Sequence, residues 1–159
     1  MNLNSTSFSS ESSLSSKKIS IFLVDDHELV RAGVARMLCD EEDMSVIGEA
    51  SSGEEAVEFI KHNTPDIVLM DARMPGIGGI EATHRLVKIC PKIKIIAMSS
   101  VASGVIPSQM LRAGAMSFIT KNVGVEEMLK AVRMVSEDQR RSALCNTRSC
   151  NPAGIGPVQ

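Results

Sequence analysis

Short unbroken apolar runs alternate along this chain with segments whose apolar residues recur every three or four positions. Ile19-Ser20-Ile21-Phe22-Leu23-Val24 is such a run and stops at Asp25. Val30, Val34, Met37 and Leu38 then follow at helical spacing. Ser45 to Ala50 reads as a second strand. Ser52 is placed to cap a helix carrying Ala56, Phe59 and Ile60, with Glu55 as its capping-box partner. Asp66 to Met70 is a third apolar run, ending at Asp71, and a helix around Ile80 to Ile89 is halted by Pro91. Ile93 to Met98 leads to Ser99, a short helix leads to Gly114, and Met116 to Ile119 is followed by Thr120 and Lys121. The last helix carries Val125, Met128, Leu129, Val132 and Val135 on one face.

Strand and helix thus alternate five times. Near-continuous apolar strands between amphipathic helices imply a parallel sheet covered on both faces. Five such units in about 120 residues fit the flavodoxin-like α/β fold, a (βα)5 unit with a five-stranded parallel sheet in order 2-1-3-4-5.

The flanks lack this pattern. Residues 1–17 are dominated by Ser and Asn and are expected to be disordered, because they offer little apolar surface to offset ordering entropy. Residues 18–136 form the folded domain, and 137–159 are expected to be an irregular tail, since the apolar period ends there. Net charge is −2, so no overall basic field is available to hold nucleic acid. No apolar run approaches the ~20 residues that span a bilayer, and the N-terminus lacks a signal-peptide pattern, so a cytoplasmic protein without a membrane partner is expected. Cys39 and Cys90 lie in apolar-patterned segments and read as core thiols. Cys145 and Cys150 are too far apart for a C-x-x-C pair and have no accompanying ligand cluster, which argues against zinc.

In an open parallel sheet, ligands bind beyond the carboxyl ends of the strands, where the winding reverses. Here that point lies between the first and third strands. Asp25 and Asp26 follow the first strand, Asp71 follows the third, Ser99 ends the fourth and Lys121 follows the fifth. One Asp after a strand is ordinarily a helix cap or a solvated turn. Three carboxylates, a hydroxyl and an ammonium at four strand ends are a chemical constellation. Crowded carboxylates repel one another and call for a hard cation such as Mg2+, which takes oxygen ligands and often bridges carboxylate and phosphate. Lys121 then suits a phosphoryl oxygen as a point charge and Ser99 as a hydrogen-bond donor. An Asp beside a cation can attack phosphorus to give an aspartyl-phosphate. His27 opens the first helix, where a solvated side chain is expected; a base or ligand role is the alternative.

Phe22-Leu23-Val24-Asp25-Asp26-His27, Asp66 to Asp71, Met74-Pro75-Gly76-Ile77-Gly78-Gly79, Ala113-Gly114-Ala115 and Phe118-Ile119-Thr120-Lys121 together resemble the receiver domains of two-component response regulators. Within them, Val24-Asp25-Asp26-His27, Met74 to Thr83 and Pro107 are similar to the NarL/LuxR type, and most of all to its GacA/UvrY group of global activators. The resemblance implies that Asp71 accepts phosphate from a sensor histidine kinase and that chemistry is confined to phosphorylation and autodephosphorylation, with Asp71 and Lys121 as its catalytic groups. It implies Mg2+ on Asp26, Asp71 and the Arg73 backbone carbonyl, with Asp25 acting through water. Ser99 would be the hydroxyl switch and Phe118 the aromatic switch. A new dianion on Asp71 would draw the Ser99 hydroxyl inward and free space that Phe118 can enter. Arg73 and Val101 would flank the path of the hydrolytic water. Asn122 stands where many receivers have Pro.

That group continues into a helix-turn-helix domain, and DNA would be reached only through such an output. After Ser136 the remaining residues are too few and too polar for one, so the output domain is expected to be absent. A shifted reading frame, a truncation and a native stand-alone receiver are the alternatives. The stand-alone receiver would work through protein contacts or as a phosphate sink. Homodimerisation stays open, because no apolar seam marks a face. A haloacid-dehalogenase-type phosphatase, the enzyme alternative, wants Asp-x-Asp after its first strand, whereas here the pair is adjacent.

Overall fold

A computed structural model of the chain describes residues 16–101 and 103–148. The expected tail at 1–17 therefore lies almost wholly outside the described residues, as does the stretch from 149 onward. The elements run β1 (Ile19–Val24), α1 (Glu28–Cys39), β2 (Met44–Ala50), α2 (Gly53–His62), β3 (Ile67–Asp71), α3 (Gly78–Ile89), β4 (Lys94–Ser99), α4 (Ile106–Ala113), β5 (Ser117–Thr120) and α5 (Val125–Arg148). All five strands are parallel, in the expected order β2-β1-β3-β4-β5.

The strands read as continuous apolar runs because helices cover both faces. Successive residues alternate between two cores. Phe22, Val24, Val68, Met70, Ile95 and Ala97 meet the side formed by α2, α3 and α4. Ile21, Leu23, Ile67, Leu69, Ile96 and Met98 meet the side formed by α1 and α5. Phe22 is fully buried, and its ring stacks on Phe59 of α2 at 4.0 Å between centroids and 3° between planes. That stack lies beside Gly48, where a β-carbon would fall 2.7 Å from the Phe59 ring. The β1–β2 register shifts at this point, Ile21 pairing with Val46 and Phe22 with Gly48, so the bulge sets Gly48 opposite the ring.

Local signals act as expected, with small displacements. Ser52 caps α2 by accepting from the Glu55 N–H at 3.2 Å. The Glu55 carboxylate reaches back one residue further than a capping box would, accepting from the Ser51 N–H at 2.9 Å. Pro107 sits in the first turn of α4, and Gly114 ends that helix at φ 120°.

The tail departs from expectation. Helix α5 runs for 24 residues to Arg148, twelve residues into the segment predicted to be irregular. The apolar stripe does end at Val135, but Glu137, Gln139, Arg140, Arg141, Ala143 and Leu144 are good helix formers, and extending an existing helix carries no nucleation cost. The two cysteines also differ from expectation. Cys39 is exposed at the end of α1 and Cys90 is only half-buried at the end of α3, because each follows the last core-facing turn of its helix. Among the described residues, no helix is long and apolar enough to cross a membrane.

Candidate functional site

Parallel β1, β3, β4 and β5 end at one level, and backbone bonds carry the sheet a residue further. The Asp25 N–H donates to the Ala50 carbonyl, Ala72 to Met98 and Lys121 to Ser99. Asp25, Asp71 and Ser99 are thereby held as buried polar side chains at the sheet edge. Asp26 is partly exposed, its side chain 26% accessible. The five residues that the sequence assigned to the strand ends therefore converge.

Lys121 joins the two most buried carboxylates. Its Nζ donates to Asp71 Oδ2 at 2.9 Å and stands 2.7 Å from Asp25 Oδ2. The second contact is an ion pair without hydrogen-bond alignment, so Asp25 Oδ2 has no aligned donor. Asp71 Oδ1 accepts from the Arg73 N–H at 3.1 Å, and Asp25 Oδ1 accepts from the His27 N–H at 2.8 Å. Burial pushes the Asp71 carboxyl above its ordinary range, against the opposing pull of Lys121 and the Arg73 N–H. Burial draws the Lys121 ammonium down, but its close pairing with Asp25 and its hydrogen bond to Asp71 outweigh this and the net shift is upward.

One ammonium does not satisfy three carboxylates. Asp26 Oδ1 is buried with no hydrogen-bond donor. Oxygens of Asp25, Asp26 and Asp71 and a nitrogen of His27 all lie within 4.8 Å of one another. A buried, under-satisfied, oxygen-rich cluster has the donor set of a hard divalent cation. Beside it opens a cleft of about 140 Å³ lined by His27, Asp71, Arg73, Ser99, Val101 and Lys121. Its wall offers a carboxylate, a hydroxyl and an ammonium together, the groups that an attacking oxygen and a phosphoryl group need.

Ser99 Oγ accepts from the Val101 N–H at 3.2 Å, so the hydroxyl proton remains free to donate. Phe118 pairs with Ala97 across β4 and β5 and is half-buried against the core on the α4 side. Arg73 is exposed at the cleft rim. The backbone around Asp71 depends on Gly79, since a β-carbon there would collide with the Asp71 carbonyl oxygen and the Ala72 backbone. That close approach lets the start of α3 pack directly under the acidic loop.

His27 is exposed, as expected at the start of the first helix, yet it also touches the acidic cluster. Its Nδ1 lies 3.3 Å from Asp25 Oδ1 and 3.2 Å from Asp26 Oδ1, which makes it part of the acidic cluster. Adjacency to the Asp pair was the available signal. The deciding feature, extended backbone at φ −86° and ψ 102° that folds the ring back over the carboxylates, is not readable from residue types.

Comparison with known proteins gives a consistent result. The family described as response regulator receiver domain matches residues 21–133. The chain is 45% identical over 122 residues to response regulator GacA of Pseudomonas viridiflava, covering 77% of this chain and 57% of that protein. It is 43% identical to response regulator UvrY of Escherichia coli K12, covering 77% and 56%. The chain thus spans little more than half the length of these curated relatives. Among solved structures, a LuxR-family two-component response regulator from Aurantimonas has a TM-score of 0.73 at 31% identity, over 77% of this chain and 87% of that one. The response regulator domain of Thermotoga maritima CheB has a TM-score of 0.71 at 32% identity, over 76% and 98%.

Proposed function

The chain belongs to the response regulator receiver domain family, and on that premise we propose that Asp71 accepts a phosphoryl group from the phosphohistidine of a sensor kinase. The observation that carries the reading is the setting of Asp71. It is buried at the end of β3, with one carboxylate oxygen held by the Arg73 N–H, the other by Lys121, and the cleft opening beside it.

Receiver domains bind Mg2+ at an acidic pocket, and the donor set here fits that ion. Asp26, Asp71 and the Arg73 carbonyl would hold it, with Asp25 acting through water. When bound, Mg2+ supplies charge that offsets the carboxylates and the entering phosphoryl oxygens. The chain's own groups do the rest. An oxygen of Asp71 attacks phosphorus, the P–N bond to the donor imidazole breaks, and the imidazole leaves with a proton. The Lys121 ammonium transfers its contact from the carboxylate to a phosphoryl oxygen, and the Ser99 hydroxyl donates to another. Moving Ser99 inward vacates space beside Phe118, whose ring can then turn from half-exposed to buried. Water later cleaves the acyl phosphate and returns Asp71 to a carboxylate.

The switched output is a regulatory one, transcriptional if a DNA-binding region accompanies the receiver as in full-length activators of this type. A receiver that acts by protein contact or as a phosphate sink is the alternative. Incubation with Mg2+ and acetyl phosphate should add one acid-labile phosphate, mapped by borohydride reduction and mass spectrometry to Asp71. Equal incorporation in Asp71→Ala would refute the assignment.

A further inference from the structure

His27 is the side chain in the acidic cluster that carbonyl- and carboxylate-based chemistry leaves unused. It is the N-cap residue of α1, yet its side chain makes no capping bond. Its backbone N–H instead donates to Asp25 Oδ1, a turn that closes the chain over the carboxylate and carries the imidazole with it. Arg31 secures the turn by donating to the Asp25 carbonyl at 2.6 Å and to Glu49 at 3.1 Å. The backbone that carries the ring is thus fixed, while the side chain itself is 63% accessible.

The distances have a chemical meaning. Two donors at adjacent corners of an octahedral cation with bonds near 2.1 Å stand about 3.0 Å apart. His27 Nδ1 is 3.2 Å from Asp26 Oδ1, the oxygen that is buried without a donor. The imidazole nitrogen and the orphaned oxygen can therefore share one cation with little movement. An imidazole adds little for Mg2+, which prefers oxygen, but it strengthens binding of borderline ions in the order Mn2+ < Co2+ < Ni2+.

Building on the cation site proposed above, we propose that His27 is a further ligand of that site and sets its metal specificity, widening it from Mg2+ to nitrogen-accepting divalent ions. The cluster then has two modes. Mg2+ is held by oxygens alone, and Co2+ or Ni2+ is held by the same oxygens plus His27 Nδ1. The exposure of the ring gives a borderline ion access from solvent without opening the fold.

The test is calorimetric titration of the full chain with Mg2+ and separately with Ni2+, in the wild type, His27→Asn and Asp26→Ala. Electron paramagnetic resonance of bound Cu2+ supplies a direct reading of nitrogen ligation. His27→Asn should weaken Ni2+ by about tenfold or more, the least expected from losing a ligand when losing a mere supporting partner already costs that much. Mg2+ affinity should change less than about twofold. The Cu2+ nitrogen splitting should disappear in His27→Asn. Unchanged Ni2+ affinity and unchanged nitrogen splitting in His27→Asn, with both ions lost in Asp26→Ala, would overturn the role of His27 and leave the Mg2+ site standing. Retention of both ions in Asp26→Ala would overturn the cation site itself, and the role of His27 with it. Ni2+ held instead by the exposed His62 and Glu58 pair, 3.5 Å apart on α2, would survive both substitutions while Mg2+ is lost in Asp26→Ala, and would overturn the role of His27 alone.

Discussion

The Nζ of Lys121 stands 2.9 Å from Oδ2 of Asp71, a residue fifty positions earlier in the chain. The same ammonium pairs with Asp25, so one cation ties the ends of β1, β3 and β5 together. Phosphorylation of Asp71 would hand that ammonium to a phosphoryl oxygen and loosen its hold on the carboxylates.

Replacing Lys121 with Ala should therefore separate modification from response. Mg2+ binding persists, because Lys121 competes with the cation and does not ligate it, and phosphate still attaches to Asp71. The dianion then lacks its fixed partner, and the change at Ser99 and Phe118 is lost. Amide chemical shifts of Ser99 and Phe118 with and without phosphate check this; a full wild-type shift pattern in the variant counts against it. Without Mg2+, Lys121→Ala should also lose about 3 kcal/mol of stability, since two buried carboxylates lose their counter-ion.

Asp26→Asn should change stability and Mg2+ affinity in opposite directions. It removes one of three mutually repelling carboxylates, so in EDTA the variant should unfold at higher urea, by about 1 kcal/mol. It also removes a proposed direct ligand, so Mg2+ should no longer stabilise the protein as it does the wild type. Urea unfolding in EDTA and in Mg2+ measures both effects. An equal Mg2+ gain in the two proteins argues against ligation by Asp26.

Gly79→Ala should disturb Asp71 without touching its side chain. The added β-carbon meets the Asp71 carbonyl oxygen and the Ala72 backbone, neither of which can rotate away. A loss of about 2–3 kcal/mol is expected, together with slower phosphorylation from acetyl phosphate. Unfolding curves and phosphorylation rates test the pair; wild-type values for both would mean that the start of α3 can shift freely.

Val101 should bear on the lifetime of a phosphate on Asp71. It lines the cleft at 38% exposure, and its apolar side chain cannot align water by hydrogen bonding. Val101→Gln should hasten dephosphorylation by supplying an amide for that water. Decay time courses of the two phosphorylated proteins compare them, and an equal or slower decay in the Gln variant would show that Val101 does not limit access.

The sequence by itself determined the five strand–helix units, their parallel pairing and the residues at the strand ends. Unbroken runs such as Phe22-Leu23-Val24 and Ile67 to Met70 are stable only with apolar cover on both faces, and each helical crossover between parallel strands is right-handed. Asp25, Asp71, Ser99 and Lys121 were legible as a group because each lies at or just past the end of such a run. What side chains do beyond the strand ends was decided by tertiary structure. The turn at His27 starts from a local bond to Asp25, but it is secured by Arg31 reaching Glu49 of a neighbouring strand, which no local pattern encodes. The exposure of Cys39 and the continuation of α5 to Arg148 were likewise hidden, since apolar periodicity reports what a helix buries and not where its backbone stops. The sharing of one ammonium by two carboxylates is set by the distance between strand ends, which only the folded sheet supplies.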